Sequence, residues 1–467
     1  MFIPNTPSAL SMSGIPETTA DHDIYVDPNS GSDITGHGTS SKPFATLTRA
    51  FRDIPRHIKH LTRVLCKAGT YNEFPKTLYH EYSENGTLVL ECIDDPTVEA
   101  GPFTITAWNE LGAWWQEHTC QVAGAGWTPD QFAGDFIKVT SGFYTGYYCS
   151  IYKNTADTLY LVGNLVYPVA GNTFEIVSPS GVVNVDEGIS WGSVPRENIL
   201  PDPAPLGYDL SRVGIANMSF NTASDETLYG NFQLWGRGSR SSNMILNLTR
   251  FEAPNHESFV LSMDDATVDN TAPYLGSIFN NPVHDDINTS CWVVKPQVLD
   301  ALQDLVNMWG SSVAASICAR GKCEAGQGST GVRFVYSGIG QFRPYRASRT
   351  VLDSVFIDTI TTAYDGIRQY ESELSMQNVY VHAAGDAWRC ADNSKAVVGS
   401  NFECRVAGVS GYALLMELLA HIVVQNGVPA LPAGTTGQIN RTFGGAIAWP
   451  GAAASINDAN GGWVTRG

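Results

Sequence analysis

The chain carries little charge, and less of it is positive. Charged residues are 16% of its 467 positions, well under the roughly 25% of an average soluble chain. Lys plus Arg is 28 against 46 Asp plus Glu, a net charge of −18. Phosphate recognition needs a basic surplus, so no nucleic acid partner is expected. No run of about 20 apolar residues is present to span a membrane. The best stretch, 411–428, contains Glu417 and His421, so no membrane partner is expected either. The nine cysteines include no CxxC pair, which argues against a zinc site. They read as buried free thiols in a protein made in a cytosol. Residues 1–17 have no basic n-region and hold three prolines, so no secretory signal is expected there. No phosphate loop and no HExxH motif is found. No metal and no cofactor is expected. What is abundant is turn and ring: 45 Gly, 24 Pro and 10% aromatics. Low charge with many aromatics is the opposite of a disordered composition.

The first informative segment is residues 24–54. A short apolar run, Ile24-Tyr25-Val26, precedes a turn-rich loop with Pro28, Asn29, Gly31, Asp33, Gly36 and Gly38. Leu47, Ala50, Phe51 and Ile54 then fall at i, i+3, i+4 and i+7, one helical stripe, with Thr46 as its N-cap. A β run, residues 62–66, and Gly69-Thr70-Tyr71 follow. Asp27, Asn29, Gly31 and Asp33 admit two readings, a fragment of a calcium loop or a structural turn. A calcium loop ordinarily ends in a bidentate acid, and none follows closely.

This order of residues resembles the opening of right-handed parallel β-helix proteins of the pectin lyase-like superfamily, most like bacteriophage tailspike and virion β-helix proteins. The carrying positions are Tyr25-Val26, Gly31 and Asp33, Gly38-Thr39, Pro43-Phe44, Thr46-Leu47, Ala50, and Val64 with Gly69-Thr70-Tyr71. The match covers about 50 residues. It implies an all-β fold, a parallel solenoid whose open N-terminal end is plugged by the helix. The physics agrees, because the first coil of a solenoid exposes backbone groups and an apolar end that must be covered.

Repetition at about 20 to 25 residues is expected of such a coil. Residues 365–371 (DGIRQYE) and 386–392 (DAWRCAD) repeat at an offset of 21, superposing Asp365 on Asp386, Arg368 on Arg389 and Glu371 on Asp392. A weaker third copy, 411–417, lies 25 further on and ends in Glu417. Asn378-Val379 and Asn401-Phe402 repeat at 23. Earlier strands are expected near 213–220, 243–248, 313–319, 331–336 and 351–357. Two stretches break the period. Residues 296–309 (PQVLDALQDLVNMW) have helical spacing, and 112–180 alternate with turn residues as a small antiparallel module does. The expected organisation is a docking arm at 1–23 and a β-helix opening at 24–111. An inserted β module follows at 112–180, a β-helix body at 181–443 with the helical excursion at about 296–309, and a cap or tail at 444–467.

Stacked strands lie about 4.8 Å apart, so residues one coil apart on one face are about 5 Å apart. Asp365 with Asp386 then forms a close carboxylate pair, and Glu371 with Asp392 continues an acidic column. These four are the candidate catalytic residues for glycan cleavage, which uses paired carboxyl groups at such spacings. The rival reading is that the Asp, Arg and acidic columns neutralise one another as surface ladders. Acid pairs at 264–265 and 285–286, and His256 with Glu257, read equally as turn residues. Trp108, Trp114, Trp115 and Trp127 are the candidate glycan-binding residues, because aromatic faces stack on sugar rings. Their rival is the core or an interface of the inserted module.

Three functional readings follow. The first is a homotrimeric bacteriophage tailspike on the virion surface, made in the host cytoplasm, attached to other virion proteins by its arm, that binds host surface polysaccharide, with cleavage by a depolymerase activity left open. The second is a non-enzymatic capsid decoration or head spike. The third is a secreted polysaccharide lyase or hydrolase.

Overall fold

In a computed structural model, the described residues are 16–73, 77–78, 81–82, 87–109, 118–162, 169–185, 189–191, 213–222, 232–237, 245–253, 259–264, 292–296, 304–308, 313–315, 318–325, 332–335, 338–344, 348–358, 365–383, 385–391, 393–399, 402–406, 414–416, 421–424, 439–441, 446–448, 456–458 and 463–465. They are almost wholly β, with one helix among them, Leu47–Asp53. The largest sheet has 25 strands, and a second of seven strands is antiparallel.

The large sheet is built by parallel pairing with the strand about one repeat away. His22–Val26 lies beside Leu61–Cys66, which lies beside Thr87–Cys92. The next neighbour is Val213–Thr222, and the sheet continues to Trp463–Thr465. In-register pairing stacks like on like. Ile24, Val64, Leu90 and Ile215 form one column, each at most 1% exposed. Burying each such side chain stabilises the fold by about 1.5–3 kcal/mol. Cys66 and Cys92 are register partners, both free and buried. Burial pushes the Cys66 thiol well up and the Cys92 thiol to about 11, so neither is a ready nucleophile.

The helix forms where its stripe requires. Leu47, Ala50 and Phe51 are buried, and the Thr46 hydroxyl accepts the Arg49 N–H at 3.1 Å. Asp33 adds a second anchor, accepting the N–H groups of Ala45 and Thr46 at 2.8 and 3.1 Å. Asp27 accepts from Asn29 and Ser30 at 2.8 and 3.0 Å. Both carboxylates are thus spent on backbone donors, so the loop is a structural turn. Residues 1–15 of the expected arm lie outside the described residues. The following residues are fixed, with Thr18 buried and its hydroxyl accepting from Lys59 N–H at 2.8 Å.

The antiparallel sheet runs Thr97–Thr104, Thr173–Ser178, Phe136–Val139, Tyr148–Asn154, Thr158–Val162, His118–Gln121, Ala107–Asn109. Its pairing begins at Thr97, earlier than the 112 read from sequence, because Thr97–Thr104 pairs with a strand some 70 residues later and carries no local mark of it. One face holds Ile137, Ile151, Leu161, Phe174 and Ile176, all buried together. The other face packs on the parallel sheet: Phe136, Tyr152 and Val177 meet Leu248 and Phe356.

Two expectations are corrected. Asp304–Met308 is a strand that pairs in parallel with Cys318–Ala325, not part of a helix; residues 297–303 lie outside the described set. Short apolar runs fit both periods, and neighbouring strands decide the outcome. The third repeat copy is also one residue out: Arg389 faces Leu415, an offset of 26 rather than 25. A one-residue slip reverses the side a residue faces; positions 392 and 417 themselves lie outside the described residues.

Candidate functional site

The sequence pair Asp365 and Asp386 is brought together. Ile367–Tyr370 and Trp388–Ala391 pair in parallel with Ile367 on Trp388 and Arg368 on Arg389, the 21-residue offset expected. The turns before these strands stack. Asp386 N–H donates to Asp365 Oδ1 at 3.2 Å, and Gly366 N–H donates to Asp386 O at 2.8 Å. Buried Gln341 secures the turn from the other side, its Nε2 donating to Asp365 O at 2.7 Å. Gly366 is required by close approach: a Cβ there would lie 2.4 Å from Val381 Cγ1 and 2.7 Å from Ala387 O.

The electrostatics of the pair are uneven. Burial pushes the Asp365 carboxyl above the usual aspartate range, and the charge of Asp386 adds to this. The Asp386 N–H and the guanidinium groups of Arg368 and Arg389 pull the other way without cancelling it. A carboxyl shifted upward beside a second carboxyl is an arrangement that favours a proton donor.

The remaining candidates divide. Glu371 is exposed, on a turn with φ 43°. Asp392, Trp114 and Trp115 lie outside the described residues, as do 265, 285–286 and 256–257. Trp127 is 7% exposed, wedged edge-on between Phe103 and Phe132 at ring distances of 5.2 and 5.7 Å. Trp108 packs on the same core. These two tryptophans hold the antiparallel sheet together, and the buried face of Trp127 is closed to a sugar.

A cluster that sequence reasoning missed lies at the junction of the two sheets. Lys153 Nζ from the antiparallel sheet is 2.6 Å from Asp358 Oδ2, and His382 Nδ1 is 3.4 Å from Asp358 Oδ1. Asp358 and His382 are register partners on adjacent parallel strands, as are Phe356 and Tyr380, whose rings stack at 5.1 Å. Burial would raise the Asp358 carboxyl, but His382 and Lys153 together hold it below its ordinary value. Lys153 and Asp358 are 205 residues apart, so no local spacing announces them. The alternation of 355–358 and 379–382 does mark their outward faces, because Val355, Ile357, Val379 and Val381 point inward.

No family model matches the chain, and no curated protein does. Among solved structures it is similar to a glycoside hydrolase, at 11% identity over 91% of this chain and 96% of that one, with a TM-score of 0.22. It is also similar to a GH136 lacto-N-biosidase from Eubacterium ramulus, at 8% identity over 91% and 68%, TM-score 0.26. The tailspike protein gp49 from Pseudomonas phage LKA1 aligns at 13% identity over 84% and 72%, TM-score 0.26. Scores this low fix neither fold nor function.

Proposed function

We propose that the parallel strands close into a right-handed β-helix carrying the antiparallel sheet as an insertion, and that its outer wall binds and cleaves a bacterial surface polysaccharide. The observation that carries the reading is the stacked pair Asp365 and Asp386, with Asp365 raised by burial and by its partner's charge. Asp365 serves as proton donor to the glycosidic oxygen, and ionised Asp386 stabilises positive charge developing on the sugar ring. The test is release of reducing ends from purified bacterial capsular polysaccharides. Asp365→Asn and Asp386→Asn are each expected to lower the rate by about 10²-fold or more with the thermal midpoint unchanged or higher, and full activity in both sinks the assignment. A raised acid makes its ionised form unfavourable in the fold, so the stability it contributes is present at low pH and lost as pH rises through its elevated value. Removing it does not weaken the protein at neutral pH.

In this reading the protein is a homotrimeric tailspike on a phage virion, its first residues docking onto other virion proteins. Light scattering should then give three times the 50.5 kDa chain mass, and a monomer in solution contradicts the spike.

A further inference from the structure

We propose that a row of arginines on the outer face beside Asp365 selects polysaccharides bearing acidic groups, with Arg368 and Arg389 as its specificity-determining residues and Arg343 extending it; this rests on the reading that the Asp365 corner acts on polysaccharide. The row follows from register. Phe342 stacks on Ile367 and Ile367 on Trp388, each at most 1% exposed. The next residue on each of these strands is an arginine, and alternation turns it to the opposite face. Arg343, Arg368 and Arg389 are accordingly half-buried rather than buried, and successive members lie about 4.8 Å apart. Arg368 and Arg389 are themselves register partners.

Like charges directly opposite one another on a sheet are destabilising, so strand pairing alone gains nothing from this row. In a chain of net charge −18, it is a local surface that attracts a polyanion. It also stands next to the carboxylate pair. Asp365 precedes Arg368 by three residues and Asp386 precedes Arg389 by three. Both guanidinium groups act on the Asp365 carboxyl, yet burial and the charge of Asp386 keep it above the usual aspartate range. Asp365 is thus a weak counter-ion for the row.

Arg368 is held in a fixed direction. Its Nε donates to the Tyr370 hydroxyl, and its guanidinium carbon lies 5.2 Å from the centre of that ring. These contacts order the fork while its two Nη groups make no hydrogen bond to any described residue. A fork of that kind pairs with two oxygens of one anion, which a carboxylate or a phosphate offers. The ligand chemistry is therefore an acidic group on a sugar, a carboxylate or a phosphate, read by Arg368 and Arg389 while the neighbouring linkage lies toward Asp365 and Asp386.

The test uses the full chain on purified bacterial capsular polysaccharides in three groups: neutral, carboxylate-bearing and phosphate-bearing. Wild type is expected to bind an acidic group and not the neutral one, and the group bound tells carboxylate from phosphate. Removing the acid from the bound polymer, by chemical reduction of its carboxyls or by dephosphorylation, should weaken binding about 10-fold or more, the usual size for a lost charge-assisted hydrogen bond. That arm needs no variant. Arg368→Gln and Arg389→Gln are each expected to weaken binding of the acidic capsule by a similar factor at unchanged thermal midpoint. Arg368→Lys should recover only part of the loss, because the charge returns without the fork. Equal binding of the neutral capsules, or of the polymer stripped of its acid, overturns the proposal and leaves the polysaccharide reading standing. Acidic-capsule binding at the wild-type level in both glutamine variants does the same. Binding to no capsule at all overturns both.

Discussion

Asp358→Ala is expected to cost the folded state about 3–5 kcal/mol, the usual penalty for breaking a buried ion pair from one side, measurable as a lowered urea midpoint. The size comes from what is left behind. Lys153 is 24% exposed and its Nζ sits 2.6 Å from the lost carboxylate, under aromatic rings that offer weaker compensation. The control is the double replacement Lys153→Met with Asp358→Leu. It removes both charges and is expected to be far milder than the single change. If the double variant is as unstable as the single one, the pair contributes net attraction rather than mutual relief. The pH dependence has a definite sign. Asp358 is depressed in the fold, so its contribution is fully present above the unfolded aspartate value of about pH 4. It is lost as pH falls through the folded value. Wild type should therefore lose stability below about pH 4 more steeply than Asp358→Asn.

Trp388→Ala is the second large effect, with an expected loss of about 3–5 kcal/mol in chemical denaturation. Trp388 is 1% exposed and the largest fully buried side chain among the described residues. It sits in register on Ile367, which sits in register on Phe342, both fully buried. Removing the indole opens a void that strands on either side, each held by its own ladder, are poorly able to close. Trp388→Phe, which keeps a ring in the stack, should recover most of the loss. A cost under about 1 kcal/mol for Trp388→Ala, against the usual range for emptied core sites, would mean the column is not packed as described.

How much of this was legible in the chain depended on distance along it. The helix was, because its stripe and its cap lie within nine residues, 46–54, and act locally. The pairings of Ile367 with Trp388 and Val379 with Phe402 were, because stacking places like beside like and leaves a repeat in the sequence. The third copy slipped by one since its strand, Leu414–Met416, is short and has few side chains to register by. Helical spacing misled over 304–308, because pairing with Cys318–Ala325 outweighs local preference. Of the candidate site, Asp365 and Asp386 were visible through their offset. The Lys153, Asp358 and His382 cluster was not, because it forms only when one sheet docks on another. The tryptophans were conspicuous by type, but their burial depends on the antiparallel core that surrounds them.

Among the described residues, two ion pairs of opposite sense join the antiparallel sheet to the parallel one. Asp135 of that sheet meets Arg250 of the parallel one at 2.8 Å, whereas Lys153 of the former meets Asp358 of the latter. The arrangement works as a keyed plug with one positive and one negative pin. Rotated half a turn, the plug would press like charges together in a dry interface, so only one seating survives. A graft of a different module onto this body would have to bring an acid to Arg250 and a base to Asp358, whatever else it changed. Reversing one member of a pair alone should unseat the module, while exchanging the acid and the base of that pair should preserve the seating.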